Sequence, residues 1–278
     1  MSSAGVFALV LLAAFFHATW NAGVKGASDK GLVLGLVSLS HVILGGVMAL
    51  FLPFPPLHVW PFIAASTIIH FLYYILLFHS YRLGDLSQVY TIARGLAPIL
   101  VTIGAQVFIG EVLPLIAWAG ILIVSFGILA LALQARKAQG DAILLAIATG
   151  FVIAAYSIVD GIGVRSTPVA LSYVAWLFIS EIFVTLYVGI GRGRALLTVD
   201  RRIWAIGLGG GVVSTLAYAI VLYAKTLAPL GLVSTLRETS VIFAALIGIV
   251  LFKERPWILR AVASIIVALG IVGLSLVT

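Results

Sequence analysis

Residues 86–111, LSQVYTIARGLAPILVTIGAQVFIGE, are apolar enough to cross a bilayer yet carry Arg94 near the middle. The stretch recurs 143 positions later, a shift that lays Arg94 on Arg237, Glu111 on Glu254 and, farther along, Gly127 on Gly270. Two membrane-length segments, each with a cation at mid-depth, set the terms on which the rest of the chain is read.

Apolar residues make up 63% of the 278 and charged ones 9%, with a mean hydropathy of +1.26. That balance belongs to polytopic membrane proteins and leaves no stretch for a soluble domain. Crossing ~30 Å of hydrocarbon takes about 20 helical residues. Ten runs meet that length: 5–24, 32–52, 59–80, 86–109, 113–134, 142–163, 169–190, 203–224, 230–252 and 257–277. They are continuous and lack the alternation of barrel strands, so the expected fold is an all-α polytopic membrane protein of ten transmembrane helices. The first run lacks a basic leader region and is read as a span, not a cleaved signal.

The net charge of +7 points to topology, not to nucleic acid. Most Lys and Arg fall in the odd-numbered loops, from Lys25 and Lys30 to Lys253 and Arg255, while Arg165 and Lys225 are assigned to even loops. The odd loops are therefore expected in the cytoplasm and both termini outside, in a bacterial-type cytoplasmic (inner) membrane. Without cysteine there is no disulfide, thiol catalysis or thiolate metal site. No cofactor and no metal centre are expected.

A shift of 140 lays residues 16–25 (FHATWNAGVK) on 156–165 (YSIVDGIGVR) and Ser40-His41 on Ser180-Glu181. Span one thus pairs with six and span two with seven. Five spans per half is an odd number, so the second half must cross in the opposite sense, a five-plus-five inverted-topology repeat. The expected units are 1–134 and 142–278, joined by the polar linker 135–141. Such halves can exchange conformations and open a central cavity to each side in turn. The glycines of 207–211 are read as close-packing positions.

The HATWNA run of span one, the YxxARxxxP pattern of Tyr90, Arg94 and Pro98, the loop pairs Gly110-Glu111 and Lys253-Glu254, and the doubled five-helix plan resemble EamA-type members of the drug/metabolite transporter superfamily. The resemblance covers essentially the whole chain. It implies movement of amino acids, choline-like amines or other small metabolites, through a cavity lined mainly by spans one, three, four, six, eight and nine. Many relatives carry basic residues in the second loop and at the C-terminus, implying internal termini; residues 53–58 and 274–278 here have none.

A charged side chain at the centre of a membrane helix costs ~2.5–3.5 kcal/mol, so it faces protein or a water-filled cavity and finds a partner. Arg94 and Arg237 both lie near the midplane, where planar guanidinium forks suit a carboxylate or phosphonate. The competing assignment neutralises them with Asp160, Glu181 or Glu238 for helix association. Helical spacing sets Tyr90 and Pro98 on the face of Arg94, groups His17, Trp20 and Asn21, and pairs Tyr156 with Asp160. Span eight adds Ser214 and Tyr218, and span three adds His70, Tyr73 and Tyr74. Aromatic walls with a few polar heads are the make-up of a small-molecule pocket. Glu111 and Glu254 are read as charges at the starts of helices five and ten.

No HExxH, GxSxG or P-loop pattern is present, which argues against a membrane enzyme and against a nucleotide-driven motor. The expected function is secondary transport of a small anionic or zwitterionic metabolite, such as an amino acid or aminophosphonate. Arg94 and Arg237 would grip the anion, Asp160 or Glu238 an amine, and Tyr90, Tyr156, Trp20 and Tyr218 would shape the pocket. The alternatives are a transporter of cationic amines using Asp160, Glu181 and Glu238, or a lipid flippase. The expected partners are a small-molecule substrate and the bilayer; monomer and homodimer both remain open.

Overall fold

The computed structural model describes residues 2–82, 86–132, 140–196, 198–253 and 257–275. All regular elements among them are helical, beginning with α1 (Ser3–Lys25), α2 (Lys30–Phe51), a 3₁₀ turn (Leu57–Val59), α3 (Trp60–Arg82), α4 (Leu86–Ile109), α5 (Leu115–Ala132) and α6 (Gly140–Arg165). They are followed by α7 (Ala170–Ser180), α8 (Ile182–Leu196), α9 (Arg201–Lys225), α10 (Leu230–Arg237), α11 (Ser240–Val250) and α12 (Trp257–Ser275). Nine described helical stretches are long and apolar enough to cross a membrane, and Leu115–Leu131 is a shorter apolar helix. Most of the linker 135–141 lies outside the described residues.

Two of the expected spans are broken among the described residues. The seventh divides into α7 and α8 at Glu181, and the ninth into α10 and α11 at Glu238 and Thr239. Neither break contains Pro or Gly. At each, backbone bonds tighten to the i→i−3 pattern, Glu181 N donating to Phe178 O and Glu238 N to Thr235 O. Side-chain hydroxyls take part as well: Ser180 Oγ donates to Leu177 O, and Thr239 Oγ1 to Leu236 O. Such local side-chain bonds offer the backbone an alternative to the helical ladder.

Polar residues fasten the helix ends. Asp29 caps α2 through Leu32 N at 3.0 Å and also accepts from Arg192 of α8 at 2.5 Å. Arg192 and Arg194, assigned to a loop from the sequence, lie inside the longer α8. Glu111 corrects its reading as a charge for the fifth helix. Its Oε2 accepts from Leu230 N, the first residue of α10, at 2.8 Å, and its Oε1 pairs with Arg165 at 2.6 Å. The orphan N–H groups of a helix start attract any carboxylate the fold brings near, whatever its place in the sequence. Glu254 lies outside the described residues. Lys225 is also corrected: it is buried in the last turn of α9, and its Nζ donates to Ser157 O at 2.8 Å.

Several positions equated by the sequence shifts meet or match in space. His41 contacts Glu181, 140 positions apart; Val124 and Val267, 143 apart, share one core cluster; and Gly110 and Lys253, also 143 apart, both turn the chain with positive φ, +70° and +52°. α5 packs along α12, where a Cβ on Gly270 would meet Gly120 O at 2.9 Å. α2 packs closely along α9. There a Cβ on Gly207 would fall 2.4 Å from Leu36 Cβ, and one on Gly211 2.3 Å from Ser40 Cβ, while Gly209 has open space beside it. Small residues at this spacing let two helices approach without a hydrophobic drive from water. Gly211→Leu is therefore expected to destabilise by about 1–3 kcal/mol through overpacking, whereas Gly209→Leu should be neutral or slightly stabilising. Thermal unfolding of the two variants in detergent separates them.

Candidate functional site

The breaks and the close α2–α9 contact leave a central cavity of about 70 Å³. A water needs roughly 10–15 Å³, so the space holds a few waters or a compact polar head. Spans one, two, three, six, seven, eight and nine supply its lining. Among the described residues span four supplies none, although the resemblance implied that it would.

The reason lies with Arg94. It is buried, and its Nε sits 2.7 Å from Glu238 Oε2, close enough for an ion pair although the N–H is not aligned as a hydrogen bond. An aligned bond of this guanidinium runs from Nη2 to Ser240 Oγ at 2.9 Å. Arg94 therefore reaches into the α10–α11 break instead of the cavity. There it consumes the one carboxylate adjacent in sequence to Arg237.

Arg237 itself lines the cavity with its guanidinium 5.7 Å from the centre of the Tyr218 ring. That geometry is a cation–π contact. It makes no ion pair or hydrogen bond with any described residue. Its charge thus remains available inside a low-dielectric wall, where it acts more strongly than in water.

Asp160 is fully buried behind that wall. One oxygen accepts from Tyr173 Oη at 2.8 Å and the other takes a short hydrogen bond from Tyr218 Oη. This fixes the ring on which Arg237 rests. Asn21 supports His17 in a similar way, its Nδ2 donating to His17 O at 2.7 Å and lying 3.2 Å from Nε2. His17 meets Trp20 edge to face at 5.5 Å, and His70 stacks on Tyr156 at 4.3 Å with its Nδ1 held by Ser66.

Of the residues singled out from sequence, His17, Trp20, Tyr74, Tyr156, Tyr218 and Arg237 stand on the cavity wall. Asn21 and Asp160 sit behind it, and Arg94 and Glu238 pair with each other. The Tyr90 side chain lies outside the described residues. His41 and Glu181 form the feature that periodicity did not expose. Glu181 stands at the seventh-span break and lines the cavity; its Oε2 lies 2.8 Å from His41 Nδ1 and accepts from Tyr74 Oη at 3.4 Å. The available signal was the 140-residue shift that laid one on the other.

The sequence model of the EamA-like transporter family, part of the drug/metabolite transporter superfamily, matches residues 141–276. A comparison with curated proteins gave no match. A crystal structure titled only as that of a protein superposes with a TM-score of 0.77 at 17% identity, covering 99% of this chain and 98% of its own, which is a likeness of fold.

The different placement of the two arginines has separable consequences. Arg94→Ala leaves Glu238 charged and unpaired inside the bundle and is expected to cost about 3–5 kcal/mol, read as a lower unfolding temperature. Arg94→Met combined with Glu238→Leu should recover most of that loss. Arg237→Ala, which strands no carboxylate, should unfold close to the unaltered protein.

Proposed function

From a chain whose residues 141–276 belong to the EamA-like transporter family, we propose a secondary transporter that moves a small anionic or zwitterionic metabolite through the central cavity by alternating access. The observation that carries the reading is Arg237: a buried guanidinium on the cavity wall, resting on Tyr218, with no carboxylate of its own among the described residues. A planar fork in this position suits a carboxylate or phosphonate. Arg94 acts indirectly, holding Glu238 away from Arg237. Trp20, Tyr74 and Tyr156 give the substrate flat apolar surfaces. The breaks in spans seven and nine are the natural places for the backbone to flex as the cavity changes sides.

Catalysis of a covalent reaction forms no part of this reading. The location proposed is a bacterial-type cytoplasmic membrane with both termini on the non-cytoplasmic side, which the cation-rich ends at Lys25, Lys30, Arg192, Arg194, Arg201 and Arg202 support. A cationic amine is the second reading, favoured by Glu181 on the same wall.

Proteoliposome uptake of radiolabelled amino acids and aminophosphonates, with choline as the cationic comparison, tests the substrate class. Loss of a charge-assisted contact of about 1.5–3 kcal/mol predicts that Arg237→Ala lowers uptake at least tenfold without a matching loss of stability; unaltered rates on an established substrate would refute the assignment. For orientation, alkaline phosphatase fused after residue 278 should be active and a green fluorescent protein dark. A bright fluorescent fusion would place the C-terminus in the cytoplasm.

A further inference from the structure

We propose that Glu181, held by His41, is a proton-binding site and that its proton travels in the same direction as the anionic head bound by Arg237. The inference rests on the transporter reading above and adds an energy source to it.

Glu181 is the carboxylate on the cavity wall among the described residues, since Asp160 and Glu238 are withdrawn into their own contacts. Only one of its oxygens is engaged. Oε2 faces His41 Nδ1 at 2.8 Å and Tyr74 Oη at 3.4 Å, whereas Oε1 makes no hydrogen bond with any described residue. His41 Nδ1, facing a carboxylate oxygen, carries the hydrogen. Its Nε2 is buried without a partner, which suits a bare lone pair far better than an N–H left unbonded. The pair thus leaves one carboxylate oxygen, Oε1, open to receive a proton.

The charged and titratable groups facing this pair come from every element packed around it. His70, Tyr73 and Tyr74 of α3, Tyr156 of α6, Tyr218 of α9, Arg237 of α10 and His17 of α1 share its wall. α8 adds no charge there; its Thr185 bonds Ser38, and its Arg192 is occupied by Asp29 far along the helix. Arg237 is the one permanent cation, and Glu181 the one carboxylate, on the described wall. When a carboxylate or phosphonate docks on Arg237, the wall carries an excess negative charge. Adding a proton to Oε1 restores the balance by making Glu181 a neutral carboxylic acid, while Nδ1–H continues to donate to Oε2. No other bond forms or breaks, and release on the far side returns the proton to water. Binding energies couple reciprocally, so the proton favours the anion as the anion favours the proton.

Position supplies the second argument. His41 and Glu181 are separated by the repeat shift itself, so their contact lies where the two halves face each other as equivalents. A site there is related in the same way to both membrane faces, as a coupling ion's site must be in an inverted repeat. The break between α7 and α8 is anchored at this point by Ser38 Oγ, which donates to Glu181 O at 2.9 Å. A change of charge on the side chain therefore acts directly on the interrupted backbone.

Infrared difference spectra of the reconstituted protein on acidification should show the carbonyl stretch of a buried carboxylic acid. Glu181→Gln should abolish it, Glu181→Asp should shift it, and Asp160→Asn should leave it in place. In proteoliposomes given a mixture of radiolabelled amino acids, an inward proton gradient should accelerate uptake by the unaltered protein. Glu181→Gln should lose that stimulation. A band that survives Glu181→Gln or vanishes in Asp160→Asn overturns the proposal, as does gradient stimulation that persists in Glu181→Gln. Should no labelled amino acid enter under any condition, that substrate class fails, and the infrared experiment still decides the proton site. Should Glu181→Gln not fold, the shift or constancy of the band in Glu181→Asp decides it.

Discussion

A guanidinium buried among apolar helices has two tolerable fates, a carboxylate or a water-filled cavity, and Arg94 and Arg237 take one each. The Arg94–Glu238 pair is the contact on which the rest depends. It joins α4 to the interrupted ninth span, supplies polar partners where the helical ladder is broken, and removes the nearest carboxylate from Arg237. A buried pair of this kind contributes little net stability compared with well-packed apolar residues, but losing one member is severe. Its value here is placement: one arginine is spent so that the next one, across a single peptide bond from the spent carboxylate, keeps its charge for the cavity.

The same logic runs through the other polar groups. Asp160 is absorbed by two tyrosine hydroxyls, and Lys225 by the Ser157 carbonyl. Each withdrawn charge leaves the wall simpler. What remains facing the cavity is mainly aromatic, with one cation and one histidine-bound carboxylate among the described residues. A small cavity with so few fixed charges has an electrostatic balance that a single bound anion can tip.

The spans were legible because hydrocarbon thickness fixes a run of about 20 residues, and the chain is too apolar for any other plan. The breaks were not. Helix interruptions are usually announced by Pro or Gly, yet Pro98 lies within an unbroken α4, while the interruptions at Glu181 and Glu238 carry neither residue. Periodicity grouped His17 with Trp20 and paired Tyr156 with Asp160, since neighbours on one helix face are a local property. It could not say that Asp160 turns toward Tyr173 and Tyr218, or that Arg94 turns toward a residue 144 positions away. Those directions are set by which distant helix arrives with the complementary group. The shift of 140 held the His41–Glu181 contact in plain sight, but equivalence in a repeat becomes adjacency only for positions near the axis between the halves.

The turns at Gly110 and Lys253 bring out a different property of the molecule. Both backbones enter the left-handed region, where glycine has no penalty and a residue with a side chain carries about 1–2 kcal/mol. The two turns therefore share a curve of the chain without sharing the residue best suited to it. Shape is held by the spans on either side, and local preference yields to them. Two turns 143 positions apart can in this way hold the same curve with different residues, the flanking helices fixing a path that local preference alone would not choose.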